Sequence, residues 1–428
     1  MKDLLTFLEK SKTQYHAVNE LKKILDDNGF IELQEIDSYD IKPNMNYYII
    51  RNSSSILAFK TPKDINNTYL KIVASHTDSP TLKVKPNNKL ILDKYSSLNV
   101  EVYGGPIYSS FFDRPLSLAG RAYVKYGDMI KEVLVDLDYD LLVIPNECIH
   151  FNREVNSGKN YNPQIDLIPL LGQKDSDITD LLAQSLNVNK EDILSFDLQV
   201  YTRYRGSIIG ANKEYFMAPQ IDNLESAYLT LQGFIAGNDA DALNVYVSFD
   251  NEEVGSRTKQ GAGSGFMSRN LERIFESLGA NSSALDRAIA KGLLVSCDNA
   301  HAVHPNDLGK TDKLNKVYMN EGIVIKYNAN QAYTTDALSS ALLKQVFNLN
   351  NIKYQEYTNR SDVRGGSTLG AISTQMVSIA SVDIGLAQLA MHSAVETAGV
   401  MDAEILLNGI KAFYSTKISK EKNGYKIK

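Results

Sequence analysis

Four short apolar runs along the chain end in the same way. YLKIVAS (69–75) leads into His76, LNVYVSFD (243–250) into Asn251, Glu252 and Glu253, KGLLVSC (291–297) into Asp298, and VDIGLAQLA (382–390) into Met391 and His392. Each run is short and rich in β-branched residues, which predicts a buried strand. In open α/β sheets functional groups gather at the carboxyl ends of strands, so the four ends point to one place. Helical spacing appears elsewhere. The charged N-terminal stretch (1–25) predicts a surface helix with Leu4, Leu5, Leu8, Leu21 and Leu25 toward a core. APQIDNLESAYLTLQGFI (218–235) predicts a helix entered through Pro219 and Asp222, with Leu224, Ala227, Tyr228, Leu231 and Phe234 on its apolar face. Between about 82 and 210 the texture changes. VEVYG, AGRAYVKYGD and KEVLVDLD alternate and carry turn residues, which predicts a mostly antiparallel insertion. The expected organisation is an α/β domain in two parts, 1–82 and 211–428, split by a β-rich domain at 83–210.

Composition narrows the class. With 428 residues the chain is too long for one core of ordinary size, in keeping with that division. Hydrophobic residues at 43% and charged residues at 22% are ordinary for a globular protein. A net charge of −6 argues against nucleic acid or an anionic membrane surface as partner. No apolar run is long enough to span a bilayer, and the N-terminal stretch has no secretory pattern, so a cytoplasmic location is expected. Two cysteines far apart, Cys148 and Cys297, exclude a disulfide framework and a cysteine-based zinc knuckle.

The chemistry centres on SFDNEEVGS (248–256), where two glutamates stand side by side at a strand end. Two ionised carboxylates inside a fold are costly unless a positive charge sits with them. The bland alternative is a solvated turn. Asp222, taken alone, reads as a helix N-cap, and it also reads as a ligand held rigid by the same turn. SHTDSP (75–80) has the form His-x-Asp, in which Asp78 can orient a ligand imidazole at His76. The inventory is therefore His76, Asp222, Glu252, Glu253, Asp298 and His392. Such nitrogen and oxygen donors suit Zn²⁺, Co²⁺ or Mn²⁺, and their number suits two metals sharing a carboxylate. On extended backbone the adjacent glutamates would point apart, one to a metal and one to the water it activates. Of the remaining histidines, His301 and His304 lie in DNAHAVHPN and read as well as ordinary loop residues. The glycines of GAGSG (261–265) lack phosphate-cradle spacing, and FFDRPLSLAG (111–120) suggests no chemistry of its own.

Taken together and in order, ASHTDSP, FFDRPLSLAGR, IPNECIHFNREVN, APQIDNLESA, DNEEVGS, DNAHAVHPN, IKYNANQAY, GGSTLG and QLAMHSAVETAG resemble the aspartyl aminopeptidase family, which includes the vacuolar aminopeptidases of fungi. The resemblance runs from about residue 5 to 415. It implies a zinc-exopeptidase-like mixed sheet flanked by helices, interrupted by an insertion domain used for dimerisation, and assembly as a homododecamer. It implies two divalent metals per subunit, most simply zinc. His76 and Asp298 would hold one, Glu253 and His392 the other, and Asp222 would bridge. Glu252 would be the general base and Asp78 the partner of His76. His301, Lys326 and Tyr333 match substrate-contacting positions, and His150 matches a histidine offered to a neighbouring subunit's site. The implied substrates are peptides with a free N-terminus, with Asp or Glu preferred there. The chain departs from the family in GGPIYSSFFDR (104–114), which leaves the shape of that wall open. A neutral preference, another dimetal peptidase or deacylase, and a noncatalytic scaffold are the alternatives.

Overall fold

The computed structural model describes residues 1–363 and 365–428. Nine strands form its central sheet, in the order Ile31–Leu33, Asn46–Arg51, Ser55–Lys60, Leu243–Phe249, Leu70–His76, Leu293–Cys297, Ala380–Gly385, Ile323–Tyr327 and Tyr354–Thr358. The four strands from Leu243–Phe249 to Ala380–Gly385 run parallel. Antiparallel pairing of Ser55–Lys60 and Ile323–Tyr327 on either side of them makes the sheet mixed. Every residue of Leu70–His76, Leu243–Phe249 and Leu293–Cys297 is buried. Successive side chains go to opposite faces, and both faces are covered, so the runs read as continuously apolar. Val73, Tyr246, Val295 and Val382 join a core with the helices Lys2–Lys10, Gln14–Asp27, Ile221–Ala236, Ala337–Leu349 and Val400–Ser415. Ile72, Val245, Val247 and Leu294 join a second core with Phe266–Ser277, Ser282–Lys291 and Leu369–Met376.

A separate six-stranded sheet has the order Met129–Asp136, Leu116–Tyr126, Ile193–Thr202, Thr81–Leu92, Tyr95–Tyr103 and Leu170–Gln173. All its pairings are antiparallel, and Leu82, Leu118, Val124, Leu198 and Val200 belong to its own core. A smaller sheet orders Ser207–Ile209, Tyr215–Ala218, Glu396–Gly399, Ala387–Leu389 and Ala300–His301. Among the described residues no helix is long and apolar enough to cross a membrane.

Two expectations about elements need correction. The N-terminal stretch forms two helices, not one, broken at Ser11–Thr13. Thr13 is extended, with φ −145°, and its carbonyl accepts the first bond of the second helix from the Ala17 N–H. The apolar spacing hides this break because Leu4, Leu8, Leu21 and Leu25 all enter the same core. VDIGLAQLA is likewise two strands. Ala380–Gly385 belongs to the central sheet and Ala387–Leu389 to the smaller one. At Gly385 a Cβ would lie 1.9 Å from the carbonyl oxygen of Asp298, so only glycine lets the backbones approach where the chain changes sheets.

Candidate metal centre

The parallel strands deliver the expected residues to one end of the sheet. His76 closes its strand in register with Phe249, and Asp298 follows Cys297 on the neighbouring strand. Asp222 enters from the first turn of Ile221–Ala236. It is not the N-cap, which is Gln220, and its own φ and ψ (−80°, 109°) are not helical. His392 lies at φ 67° in the turn joining Ala387–Leu389 to Glu396–Gly399, one sheet further from the strand end than the apolar run implies.

The glutamate pair is not on extended backbone. Asn251 (φ 64°) turns the chain and Glu252–Val254 make a single 3₁₀ turn, closed by Gly255. At three residues per turn the two side chains diverge by about 120° rather than opposing. Both still face the cluster. Donor atoms of His76, Glu252 and Glu253 lie within 4.8 Å of one another, as do those of His76, Asp222 and Asp298, and those of Asp222, Glu253 and His392.

The carboxylate of Asp222 is the centre of this arrangement. Its Oδ1 is 3.6 Å from His76 Nε2, which is itself 3.4 Å from Asp298 Oδ1. Its Oδ2 is 3.4 Å from His392 Nε2, which is 3.4 Å from Glu253 Oε1. Oδ1 is buried and has no hydrogen-bond partner. Tetrahedral sites with bonds of about 2.0–2.1 Å have ligand–ligand edges of about 3.3–3.4 Å, so the spacings fit two cations, one on each oxygen of Asp222. The donors are two imidazole nitrogens and carboxylate oxygens, and neither cysteine takes part. Without cations the electrostatics are unfavourable. Burial pushes the Glu252 carboxyl up to about 8 and that of Glu253 well above its usual range, and neighbouring carboxylates add to both. Burial acts against charge at Asp222 too, but the His392 and His76 rings outweigh it and hold that carboxyl low. His76 is raised despite its burial, by Asp222, Asp298 and Asp78. Bound cations would take the place of these protons.

Around the donors, acceptors fix the geometry. His76 Nδ1 lies 3.0 Å from the Asp78 carbonyl and 3.4 Å from its Oδ1. The Asp78 carboxylate, fully buried, also accepts the N–H groups of Glu252 (3.1 Å) and Glu253 (3.2 Å) and the Tyr103 hydroxyl (2.7 Å). Asn251 Nδ2 donates to the same hydroxyl at 2.8 Å. His392 Nδ1 lies 3.1 Å from the Gly105 carbonyl, and the His392 carbonyl accepts the Ile107 N–H at 2.9 Å. The wall at 104–114 thus packs its backbone against His392 and continues as the 3₁₀ turn Tyr108–Phe111.

The other expected residues are more scattered. Lys326 is buried under Asp298, donating to the Asp298 carbonyl at 2.6 Å and the Asn299 carbonyl at 3.2 Å, with its ammonium 5.1 Å from the centre of the Tyr333 ring. Tyr333 is buried. His301 is exposed at the end of its strand, and burial of one side lowers its pKa while Asp222, Lys326, His392 and Asp298 all act on its ring. His304 accepts the Asn306 N–H and serves its own loop. His150 is exposed on a turn beside Phe151 and is not gathered into the cluster. Tyr103, Gly105 and Glu396 escaped the sequence reading. Glu396 alone carried a signal, lying four residues after His392 inside QLAMHSAVETAG.

Comparison with known proteins gives the family of the chain. Residues 7–414 match the model of a family described as aminopeptidase I zinc metalloprotease (M18). A probable M18 family aminopeptidase 2 of Clostridium novyi (strain NT) is 41% identical over 423 residues, 96% of this chain and 98% of the relative. In a cryo-EM structure of an Ape4 and Nbr1 complex, the matching chain has a TM-score of 0.93 at 34% identity, over 96% of this chain and 84% of that one. A dodecamer of mApe1 from S. cerevisiae has a TM-score of 0.84 at 24% identity, over 96% and 95%, which is a likeness of fold. A family match over nearly the whole length, with the acidic and imidazole donors of a metal site gathered at the sheet's carboxyl end, leaves one conclusion: the chain belongs to the M18 family of zinc metallo-aminopeptidases.

Proposed function

We propose that this aminopeptidase uses two cations to release acidic residues from the N-termini of peptides. The observation that carries the reading is the Asp222 carboxylate, with His76 and Asp298 beyond one oxygen and Glu253 and His392 beyond the other. His76 and Asp298 would hold one cation, Glu253 and His392 the second, and Asp222 both. When bound, two zinc ions, or cobalt or manganese in their place, acidify a shared water and polarise the scissile carbonyl. Glu252, the one glutamate of the pair left free, takes a proton on its carboxylate and returns it to the leaving amine. Asp78 keeps Nδ1 of His76 engaged and holds the turn bearing both glutamates. His301, on the rim, would hydrogen-bond the carbonyl oxygen as charge develops there.

The acidic preference rests on Lys326. Its ammonium has three N–H donors, and two are used on carbonyls. The third would reach a substrate carboxylate, beside the hydroxyl of Tyr333. That same engagement under Asp298 favours a second reading, in which Lys326 only braces the strand end and neutral N-termini are preferred.

Assembly belongs to the proposal as well. The mApe1 relative is a dodecamer, and we extend that state to this chain, with the six-stranded unit at 83–210 as the dimerisation domain. The exposed turn with Ile149, His150 and Phe151 would then reach a neighbouring subunit, His150 toward its substrate.

The test is hydrolysis of matched peptides with N-terminal Asp, Glu, Leu or Lys, with zinc-, cobalt- or manganese-loaded enzyme, beside Glu252→Gln. Release of Asp and Glu, lost by about 10²–10⁴-fold in the variant with metal retained, is expected. Release of Leu instead would sink the acidic preference and keep the base. Full activity of Glu252→Gln would remove the base assignment.

A further inference from the structure

Behind the donors lies a buried carboxylate that the reaction does not use. Glu396 opens the strand Glu396–Gly399, which pairs with Tyr215–Ala218 so that Glu396 sits opposite Ala218, four residues before Asp222. Its side chain is directed at the backbone of two of the candidate ligands. Oε2 accepts the Asp222 N–H at 2.9 Å, and Oε1 accepts the His392 N–H at 2.6 Å. Oε1 also faces the Gln388 amide nitrogen at 3.3 Å. The Gln388 carbonyl oxygen in turn accepts from Asn299 Nδ2 at 2.6 Å, and Asn299 Oδ1 accepts from the Ser226 hydroxyl at 3.0 Å. All four members are at most 4% exposed. Three N–H donors and, among the described residues, no hydrogen-bond acceptor face the two oxygens of Glu396, a pattern an amide cannot satisfy; burial and the nearby Asp222 push its carboxyl up to about 8, and the Asp222 and His392 N–H groups act against that shift.

Asp222 and His392 come from different elements, a helix entry and a turn in the smaller sheet, with 169 residues between them. Their donor atoms nevertheless stand 3.4 Å apart. Glu396 is the single side chain among the described residues that hydrogen-bonds to the backbone of both. We propose that Glu396 is a positioning residue that sets the spacing of Asp222 and His392, and with it the cation site those two share with Glu253. The chain through Gln388 and Asn299 braces it and ties it to the segment that carries Asp298. This inference rests on the two-cation reading.

The test uses Glu396→Gln in the full chain, exchanged from zinc to Co²⁺ and titrated with Co²⁺ by calorimetry and visible absorption. The isosteric amide puts an NH₂ donor group where a backbone N–H already points, whichever way it turns. Wild type is expected to bind two Co²⁺ per chain. In the variant one site should weaken by about 10–100-fold with an altered ligand-field band, the range seen when the outer partners of metal ligands are replaced. Turnover number should fall more than KM rises. Two tight sites with superposable spectra in both proteins would overturn the role of Glu396 and leave the two-cation reading intact. Fewer than two Co²⁺ on wild type would overturn that reading itself. Should Glu396→Gln fail to fold, Gln388→Leu removes the brace alone. It should weaken the same site selectively, and unchanged two-site binding there would overturn the proposal.

Discussion

Asp78→Asn isolates what holds the glutamate turn in place. The carboxylate is fully buried and has two tasks on two oxygens. Oδ1 serves the Glu252 N–H at 3.1 Å and stands 3.4 Å from His76 Nδ1, while Oδ2 serves the Glu253 N–H at 3.2 Å and the Tyr103 hydroxyl at 2.7 Å. An asparagine of the same shape must turn its NH₂ to one side. Turned toward His76 it would meet a ring N–H as well as the Glu252 N–H, so it will turn toward Tyr103, whose hydroxyl can accept. The Glu253 N–H is then left facing a donor. A buried N–H deprived of its acceptor costs about 1–3 kcal/mol, and if that strain is relieved by movement of the turn, catalysis falls by roughly 5–150-fold. The assay is kcat/KM on the preferred peptide with metal content measured in the same sample, and circular dichroism to show an intact fold. Tyr103→Phe serves as the graded control. It takes one bond from Asp78 and strands Asn251 Nδ2, and should cost about 0.5–1.5 kcal/mol, or roughly 2–12-fold. Wild-type kcat/KM in Asp78→Asn would refute the reasoning, as would a larger loss in Tyr103→Phe than in Asp78→Asn.

Other perturbations follow from the same contacts. Gly104→Ala forces a side chain onto backbone at φ 70°, with its Cβ 3.1 Å from Glu253 Cβ, and should cost about 1–2 kcal/mol in backbone strain alone, read as a lower thermal midpoint with reduced turnover. Chelation should lower the thermal midpoint and zinc restore it, since each site adds about 2.7 kcal/mol at free metal a hundredfold above Kd; a midpoint indifferent to chelator would contradict the donor geometry. Lys60→Met should destabilise without touching the site. The Lys60 ammonium donates to the carbonyls of Phe234 (2.8 Å), Ile235 (3.0 Å) and Gly237 (2.8 Å), closing the C-terminal end of the helix Ile221–Ala236, and its loss should cost about 1–3 kcal/mol in urea unfolding with little change in KM.

The strands that build the site were legible because burial on both faces leaves a local mark, a short apolar run, and because the polar residue that ends each run stands out against it. His76 and Asp298 needed nothing more than that. The glutamate pair was legible as chemistry but not as geometry, since nothing in EEV distinguishes a 3₁₀ turn from the end of a strand except the glycine that follows. His392 joins the donor cluster although its strand was misjudged. The apolar run continues through Gly385, where the chain leaves one sheet for another, and hydrophobicity does not register that change. Lys326 shows the converse. A lysine in IVIKYN reads as a group waiting for a substrate, yet the fold first gives it two carbonyls of the neighbouring segment.

What stayed hidden has one physical character. The contacts that orient the donors mostly span long stretches of chain: Tyr103 is 25 residues from Asp78, Gly105 is 287 from His392, and Glu396, though only four from His392, is 174 from Asp222. A donor can be read from its own neighbourhood because metal affinity is a property of the side chain. An orienting group is a property of a pairing, and such pairings leave no periodicity at either end. Two of these three come from the end of Tyr95–Tyr103 and the residues just after it, so the six-stranded sheet does more than stand beside the site. Through a hydroxyl and a carbonyl it fixes Asp78 on one side of the cluster and His392 on the other. A shift of this sheet against the central one is therefore expected to disturb contacts on both halves of the candidate centre, on the Asp78 side through Tyr103 and on the His392 side through Gly105.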